Sequence, residues 1–447
     1  MPFNSLPDWL SYIETLHPKT IALGLDRVQK VANTLGVRVF NCPIIIVGGT
    51  NGKGSCVTFL ESILQAAGYR TGTYTSPHLL RFEERGRINN QSINEQQWVT
   101  ALAEVEKARE EIALTYFEMT TLAVLWLFQR AGLDALILEV GLGGRLDAVN
   151  IVDADVAVIT TIALDHMDWL GDNREAIGSE KAGIFRRGKP AVCGDFSPPV
   201  SIRDYAQKIK APLYCINQDF NYQQFETSWN WQCADVQYVG LPLPSLPLQN
   251  AASALMALQC LPGWVANQDA IALGLKSASL PGRFQQFTHP VNGILDVAHN
   301  PAAAAFLAAR LQTLPIVGKT LAVVSILADK DIAGTLQPLL PYVDSWYVSG
   351  LAVARGVSSD TMLMQLRDLG VKNCYKADSV AVAFQNVVAA CGKTDRVLVF
   401  GSFHTVAEVL EAMEYSSVQI VGSSTNGQIF PRSPLKICKK AEHTRSM

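Results

Sequence analysis

Residues 43–55, PIIIVGGTNGKGS, join an uninterrupted apolar run to a glycine-rich turn and then to the start of a helical pattern. A run apolar at every position reads as a strand buried on both faces. A strand leading through glycines into a helix belongs to a parallel sheet with helices packed on its faces. Glycines 48, 49, 52 and 54 let backbone amides turn toward an anion, and Lys53 can reach terminal phosphates. The helix that begins near Ser55 directs the positive end of its dipole at the same point. Asn51, Gly52, Lys53, Gly54 and Ser55 are therefore expected to bind ATP. A strand-helix turn with no ligand would use the glycines but leave the lysine unexplained.

The loop departs from the usual nucleotide motif in one respect. The residue after the lysine is ordinarily Ser or Thr, whose hydroxyl holds the magnesium ion of ATP, and here it is Gly54. The missing oxygen must come from Ser55 or from another loop. Open α/β sheets bind ligands at the carboxyl ends of their strands. Three candidates lie there: Ser76 after TGTYT, Glu139 at the end of ALILE, and His166 within LDHMD. A hydroxyl, a carboxylate and an imidazole form a set that Mg²⁺ or Mn²⁺ accepts, with water and phosphate oxygens completing the shell. Taken alone, His166 reads more readily as a capping or core histidine than as a ligand.

The strand-helix alternation continues along most of the chain. Asp134 to Glu139 and Asp155 to Thr160 read as further buried strands, and helices are expected over Ser55 to Ala67, Asn94 to Ile112 and Phe117 to Arg130. From about 200 to 248 the pattern loosens into a polar, aromatic and proline-rich stretch before a helix over Asn250 to Leu261. Turn residues at both ends of LPGRFQQFTHP, 280–290, mark a linker. A second alternation follows, with strands over 293–297, 320–326, 345–348 and 396–400 and helices near 301–313, 331–340, 359–369, 378–390 and 405–414. The expected fold is α/β: a P-loop-type, mostly parallel sheet domain over 1–280, a linker over 281–292, and a smaller Rossmann-like α/β domain over 293–418. A polar tail without periodicity fills 419–447.

Composition narrows the function classes. The 447 residues suggest two or three domains at roughly 150 residues each. A formal charge of -3 leaves no overall basic surface for non-specific nucleic-acid binding. The nine cysteines form no C-x-x-C pair, as expected of buried thiols in a reducing compartment. The N-terminal residues lack a secretory pattern, and the apolar runs fall short of the ~20 residues that cross a bilayer. A cytoplasmic protein with no membrane or nucleic-acid partner is expected, and a monomer.

The motifs GTNGKGS, TSPHLLRFEERGRIN, TYFEMTT, LEVGLGGRLDAVN, LDHMDWLG, EKAGIF, LPGRFQ, DVAHNP and FGSFHT run in order from about residue 20 to 415. In that sequence and order the chain resembles the bacterial dihydrofolate synthase/folylpolyglutamate synthase family of the Mur ligase superfamily. The resemblance implies a glycine after the loop lysine and metal ligation, with two Mg²⁺ ions, by Ser76, Glu139 and His166. It further implies that Lys181 is carbamylated, whereas its helix alone would suggest a surface lysine. Asn250 is implied near adenine, Arg283 on the phosphates, Asp296 on the ribose, and His299 and Ser402 near the incoming L-glutamate; for His299, helix capping is the alternative. Lys53, Lys181 and His299 are the implied catalytic set.

For the pterin substrate the resemblance points to Asp26 and Arg27, to Thr115, Tyr116, Phe117 and Glu118, and to Leu146. An aromatic such as Phe117 can stack on a flat heterocycle and Glu118 can accept from pterin nitrogens. Thr115 and Glu118 also have capping-box spacing. The implied reaction is ATP-dependent amide formation through an acyl phosphate, joining L-glutamate to dihydropteroate and then to reduced folates. A monofunctional folylpolyglutamate synthase is the near alternative. A nucleotide-dependent switch is the alternative from another class, and Gly54 argues against a peptidoglycan-type ligase.

Overall fold

The structure is a computed structural model that describes residues 3–19, 21–265, 267–353 and 355–422. Strands β1 (Ile44–Gly48), β2 (Thr71–Tyr74), β3 (Gly86–Ile88), β4 (Gln91–Ser92), β5 (Ala135–Glu139), β6 (Val156–Ile159), β7 (Ala191–Cys193) and β8 (Leu213–Cys215) form one sheet in the order β4-β3-β2-β5-β1-β6-β7-β8. From β2 to β8 the pairing is parallel, and only the β2-β3 and β3-β4 pairings at one edge are antiparallel. β1, β5 and β6 are buried at every position, so their continuous apolarity reflects helices on both faces.

Register explains why the site forms where it does. Val47 sits opposite Glu139 on one side, and Gly48 opposite Ile159 on the other. The loop after β1, the end of β5 and the loop after β6 therefore open at the same edge of the sheet. The helix after the loop, Lys53–Ala66, starts earlier than Ser55, with Gly52 at its N-cap. It packs between the sheet and helices Leu248–Gln259 and Gln268–Ser277.

The stretch from 200 to 248 is more regular than its composition suggests. It holds helix Val200–Ile209, β8, and a separate antiparallel sheet of β9 (Phe220–Gln224), β10 (Ser228–Cys233) and β11 (Val236–Pro242). Trp229 and Trp231 point from this small sheet into the core, and their indole N–H groups donate to Pro242 and Ala252 carbonyls. Alternation of buried tryptophan with polar residues was the available strand signal.

Six strands make the last sheet, β12 (Gln285–Phe287), β13 (Gly293–Leu295), β14 (Thr320–Val324), β15 (Ser345–Val348), β16 (Cys374–Lys376) and β17 (Arg396–Phe400), in the order β12-β13-β17-β14-β15-β16. β12 lies inside the segment expected as a linker, where it pairs antiparallel with β13 as an edge strand. The helix expected at 405–414 runs over Phe403–Gly422, and the remainder of the expected tail, 423–447, lies outside the described residues. Among the described residues the cysteines are free, and no helix is long and apolar enough to cross a membrane.

Candidate active site

The glycine-rich loop is held from two sides. The Thr160 and Thr161 hydroxyls donate to the Asn51 carbonyl at 2.7 and 3.0 Å, which ties the loop to the end of β6. Asn51 and Asn300 exchange side-chain amide hydrogen bonds at 3.1 and 3.0 Å, which ties it to the last sheet's side of the molecule. Gly52 has φ +90°, and a Cβ there would lie 2.6 Å from Asn250 Oδ1. Both the backbone conformation and the close approach of Asn250 require glycine. Lys53 folds over its own loop, donating to the carbonyls of Gly49 and Thr50 at 3.1 and 3.3 Å.

A cavity of about 750 Å³ opens above this loop. Residues 51–55, Ser76, Glu139, His166, Lys181, Asn250, Arg283, Asp296, His299 and Ser402 all line it. The three metal candidates are thus brought to one cavity. Glu139 is buried, and one of its oxygens accepts the Ser76 N–H at 3.2 Å while the other accepts no hydrogen bond among the described residues. Burial raises its carboxyl, against the lowering effect of Lys53, which marks an anion short of positive charge. His166 is pushed down to about 4 by burial, the nearby Asp165 opposing, so its imidazole is neutral. Its side chain does not cap the helix it precedes, and Nδ1 has no hydrogen-bond partner among the described residues. A buried unfilled carboxylate oxygen, a hydroxyl and a neutral imidazole fit a hard divalent cation.

Lys181 is 3% exposed, which overturns the surface reading. The packing of helix Arg174–Ala182 against the chain at Gly144 turns it inward. Its ammonium forms no ion pair among the described residues; burial, with the Lys53 charge adding, pushes it down to about 7.

Asn250 is buried beside the loop, and Asp296 accepts backbone N–H groups of Phe284 and Ala298, each at 2.8 Å. Arg283 lies over the Phe403 ring, its guanidinium carbon 4.8 Å from the centroid. His299 does not cap its helix, since Asn300 accepts the Ala303 N–H at 2.9 Å. Instead Nδ1 of His299 donates to the Val297 carbonyl at 2.8 Å and Nε2 lies 3.6 Å from Asp165. Ser402 is buried and accepts from the Thr405 N–H at 3.0 Å, an N-cap arrangement.

A second cavity, about 1610 Å³, adjoins the first. Ser76, His78, Arg85, Asp165, His166 and Lys330 line both. Thr115 to Glu118 and Leu146 line the second cavity only. The capping box is present: Glu118 accepts the Thr115 N–H at 2.8 Å and Thr115 accepts the Glu118 N–H at 3.3 Å. Phe117 stacks on Tyr74 at 5.9 Å between centroids and covers Gly141, where a Cβ would lie 2.6 Å from the ring.

Asp26 and Arg27 are not on the cavity wall. Asp26 is exposed in the first turn of helix Asp26–Leu35, where its charge complements the helix dipole. Arg27 instead pairs with Glu118 at 2.9 Å and donates to the Ala22 carbonyl, and so reaches the cavity through these two wall residues.

Sequence reasoning missed several residues here. Asp165 accepts from Lys330 at 2.6 Å and from Asn300 at 3.1 Å. Burial would raise its carboxyl, but the His299 hydrogen bond and the Lys330 ammonium outweigh this and hold it well below the usual carboxylate range. His78, Arg85, Arg310 and Arg355 also line the cavities. Lys330 stands between two aspartates in ADKD, and no spacing in the sequence separates it from a solvated charge run.

Two family models match the chain. The Mur ligase middle domain matches residues 47–194, and the Mur ligase glutamate ligase domain matches 282–403. A dihydrofolate synthase/folylpolyglutamate synthase of Escherichia coli is 50% identical over 411 residues, covering 92% of this chain and 96% of that protein. One from Haemophilus influenzae is 42% identical over 434 residues, covering 92% and 98%. An E. coli FolC structure in complex with DHPP and ADP superposes with a TM-score of 0.89 at 50% identity, covering 93% of this chain and 99% of that one. A bifunctional folylpolyglutamate synthase/dihydrofolate synthase with Mn, AMPPNP and L-glutamate bound gives 0.87 at 48% identity, covering 92% and 98%. With its phosphate loop, its conjoined cavities and these likenesses over nearly its whole length, the chain belongs to the dihydrofolate synthase/folylpolyglutamate synthase family of Mur ligases.

Proposed function

We infer that this chain is an ATP-dependent ligase that joins L-glutamate to dihydropteroate, giving dihydrofolate, and adds further γ-linked glutamates to reduced folates. The observation that carries the reading is the shared wall of the two cavities. A phosphate loop opens into one, an aromatic-lined chamber suited to a flat heterocycle forms the other, and an acceptor lying across the wall brings its carboxylate to the nucleotide. The relatives' ADP, AMPPNP, DHPP, Mn and L-glutamate support the same set of ligands.

A carboxylate and an amine do not condense in neutral water, so the acceptor carboxylate first takes the γ-phosphoryl group, with ADP leaving. The glutamate amine then displaces phosphate from the acyl phosphate and loses a proton. The first transfer brings one anion onto another, and Lys53 and the amides of residues 51–55 supply the compensating charge. Asn250 binds adenine, Arg283 the phosphates and Asp296 the ribose. His299 and Ser402 receive the glutamate, and Thr115 to Glu118 with Leu146 hold the pterin, Arg27 acting through Glu118.

Two Mg²⁺ ions, when bound, supply Lewis-acid charge at the phosphate oxygens. Ser76, Glu139 and His166 are suited to hold one, and a carbamylated Lys181 would face the other. The neutral amine that carbamylation needs is available at Lys181 because burial has lowered its proton affinity. The chain works as a cytoplasmic monomer, its units over 1–280 and 293–418 closing on the nucleotide. Mass spectrometry of products from MgATP, L-glutamate and either dihydropteroate or tetrahydrofolate tests the reading. One glutamate added to each acceptor is the expected result. Extension of tetrahydrofolate alone would reduce it to a folylpolyglutamate synthase, and no product from either would refute it.

A further inference from the structure

The segment from Ser76 to Arg85 carries four residues that line both cavities, Ser76, Pro77, His78 and Arg85. Glu84 holds it, one carboxylate oxygen accepting the Leu79 N–H at 2.8 Å and the other the Leu80 and Arg81 N–H groups at 2.9 and 2.7 Å. Ser76 stands at one end beside Glu139, and Arg85 at the other. The Arg85 guanidinium lies over two aromatic rings, 5.6 Å from the Phe82 centroid and 5.5 Å from that of Tyr116. Its Nε–H donates to His78 Nδ1 at 2.9 Å, which fixes the plane of the fork.

What Arg85 lacks is an anion. Among the described residues no carboxylate pairs with it, and its terminal nitrogens make no hydrogen bond. The other arginines that line the second cavity are paired, Arg174 with Asp195 and Arg355 with Asp329, whereas Arg283 and Arg310, which line the first cavity only, also form no ion pair among the described residues and lie over Phe403 and Phe284. A stacked, oriented guanidinium with its fork free, exposed to both cavities, is suited to a planar carboxylate.

We propose that Arg85, held by His78, binds the acceptor's reacting carboxylate as it crosses from the pterin chamber to the nucleotide. This rests on the ligase reading above and assigns the residue that recognises what dihydropteroate and a folate glutamate have in common. An aryl carboxylate and an aliphatic one differ in everything but the anion, and one guanidinium between the cavities serves both. His78 is a positioning residue that sets the fork's orientation.

The test compares dihydropteroate with its carboxamide in equilibrium binding to wild type, Arg85→Ala, Arg85→Lys and His78→Leu, with a non-hydrolysable ATP analogue present. Steady-state KM values for dihydropteroate, tetrahydrofolate and ATP are measured alongside. Wild type should prefer the acid over the amide by about tenfold to a hundredfold, and Arg85→Ala should lose that preference. Acceptor KM values should rise by a similar factor for both acceptors while the ATP KM stays within about twofold. Arg85→Lys should recover only part, because an ammonium cannot form the paired bonds, and guanidinium ion added to Arg85→Ala should restore turnover. His78→Leu should give a smaller rise in acceptor KM with kcat retained. An unchanged acid preference in Arg85→Ala, or KM rises confined to ATP, overturns the proposal while leaving the ligase reading intact. A wild type that binds neither acceptor overturns both.

Discussion

The Lys330 ammonium lies 2.6 Å from an Asp165 carboxylate oxygen, and both side chains are more than nine-tenths buried. Asp165 follows β6 of the first sheet and Lys330 follows β14 of the last, so this ion pair spans the two α/β units. Removing one partner leaves a buried charge uncompensated, at a cost of about 3 kcal/mol. Lys330→Met should therefore lower the denaturation midpoint, and Asp165→Asn added to it should recover part of the loss in a double-mutant cycle. Simple additivity of the two would show that the pair is not coupled.

Gly52→Ala should lower stability by about 1–3 kcal/mol and abolish tight ATP binding, because φ +90° and the 2.6 Å approach of Asn250 leave no room for a methyl group. Calorimetric titration with MgATP and thermal unfolding would check the two effects separately. Wild-type nucleotide affinity in this variant would contradict the role given to the loop.

Glu139→Gln keeps an acceptor for the Ser76 N–H and removes a buried anion whose carboxyl burial already raises. The variant should fold at least as stably as wild type, yet lose ligase activity by about a hundredfold or more. Titration with manganese, followed by its paramagnetic relaxation of water, should show weakened metal binding in the presence of the ATP analogue.

Lys181 is lowered to about 7 from an ordinary 10.5, so the unfolded chain binds more protons than the folded one across that interval. Its contribution to stability is thus unfavourable below pH 7 and is relieved as pH rises toward the unfolded value. In bicarbonate-free buffer, Lys181→Met should be more stable than wild type at pH 7 and the difference should shrink on going to pH 10. Isotopically labelled bicarbonate should give a carbamate NMR signal in wild type that Lys181→Met lacks, and the variant should be inactive as a ligase. A flat stability difference across this range would mean that Lys181 titrates as an ordinary lysine.

The buried strands were legible because parallel sheets covered on both faces leave continuous apolar runs, as in Ile44–Gly48 and Arg396–Phe400. The glycine-rich turn from strand Ile44–Gly48 into helix Lys53–Ala66 was legible because clustered glycines after an apolar run mark such a turn. Short edge strands such as Gln285–Phe287 and Cys374–Lys376 were not, since three half-exposed residues carry no period. Asp165 and Lys330 were hidden for a different reason. Their partners lie on other elements, and a charge paired across the fold looks in sequence like a solvated one. Lys181 was hidden for a third reason, since only the packing of its helix separates a buried amine from a surface lysine.

Pairing of Gln285–Phe287 with Gly293–Leu295 has a mechanical consequence. It leaves residues 278–284 as the only chain between helix Gln268–Ser277 and the last sheet, a strap of at most about 25 Å if fully drawn out. Midway, Gly282 has φ +68°, and a Cβ there would lie 3.1 Å from Val297, 3.3 Å from Val406 and 3.4 Å from Leu79. The second unit is thus tied to the first on a short strap rather than strung out on a long linker. Few torsions set where it can lie, and His299, Asn300 and Lys330 meet Asp165 and Asn51 within that limit.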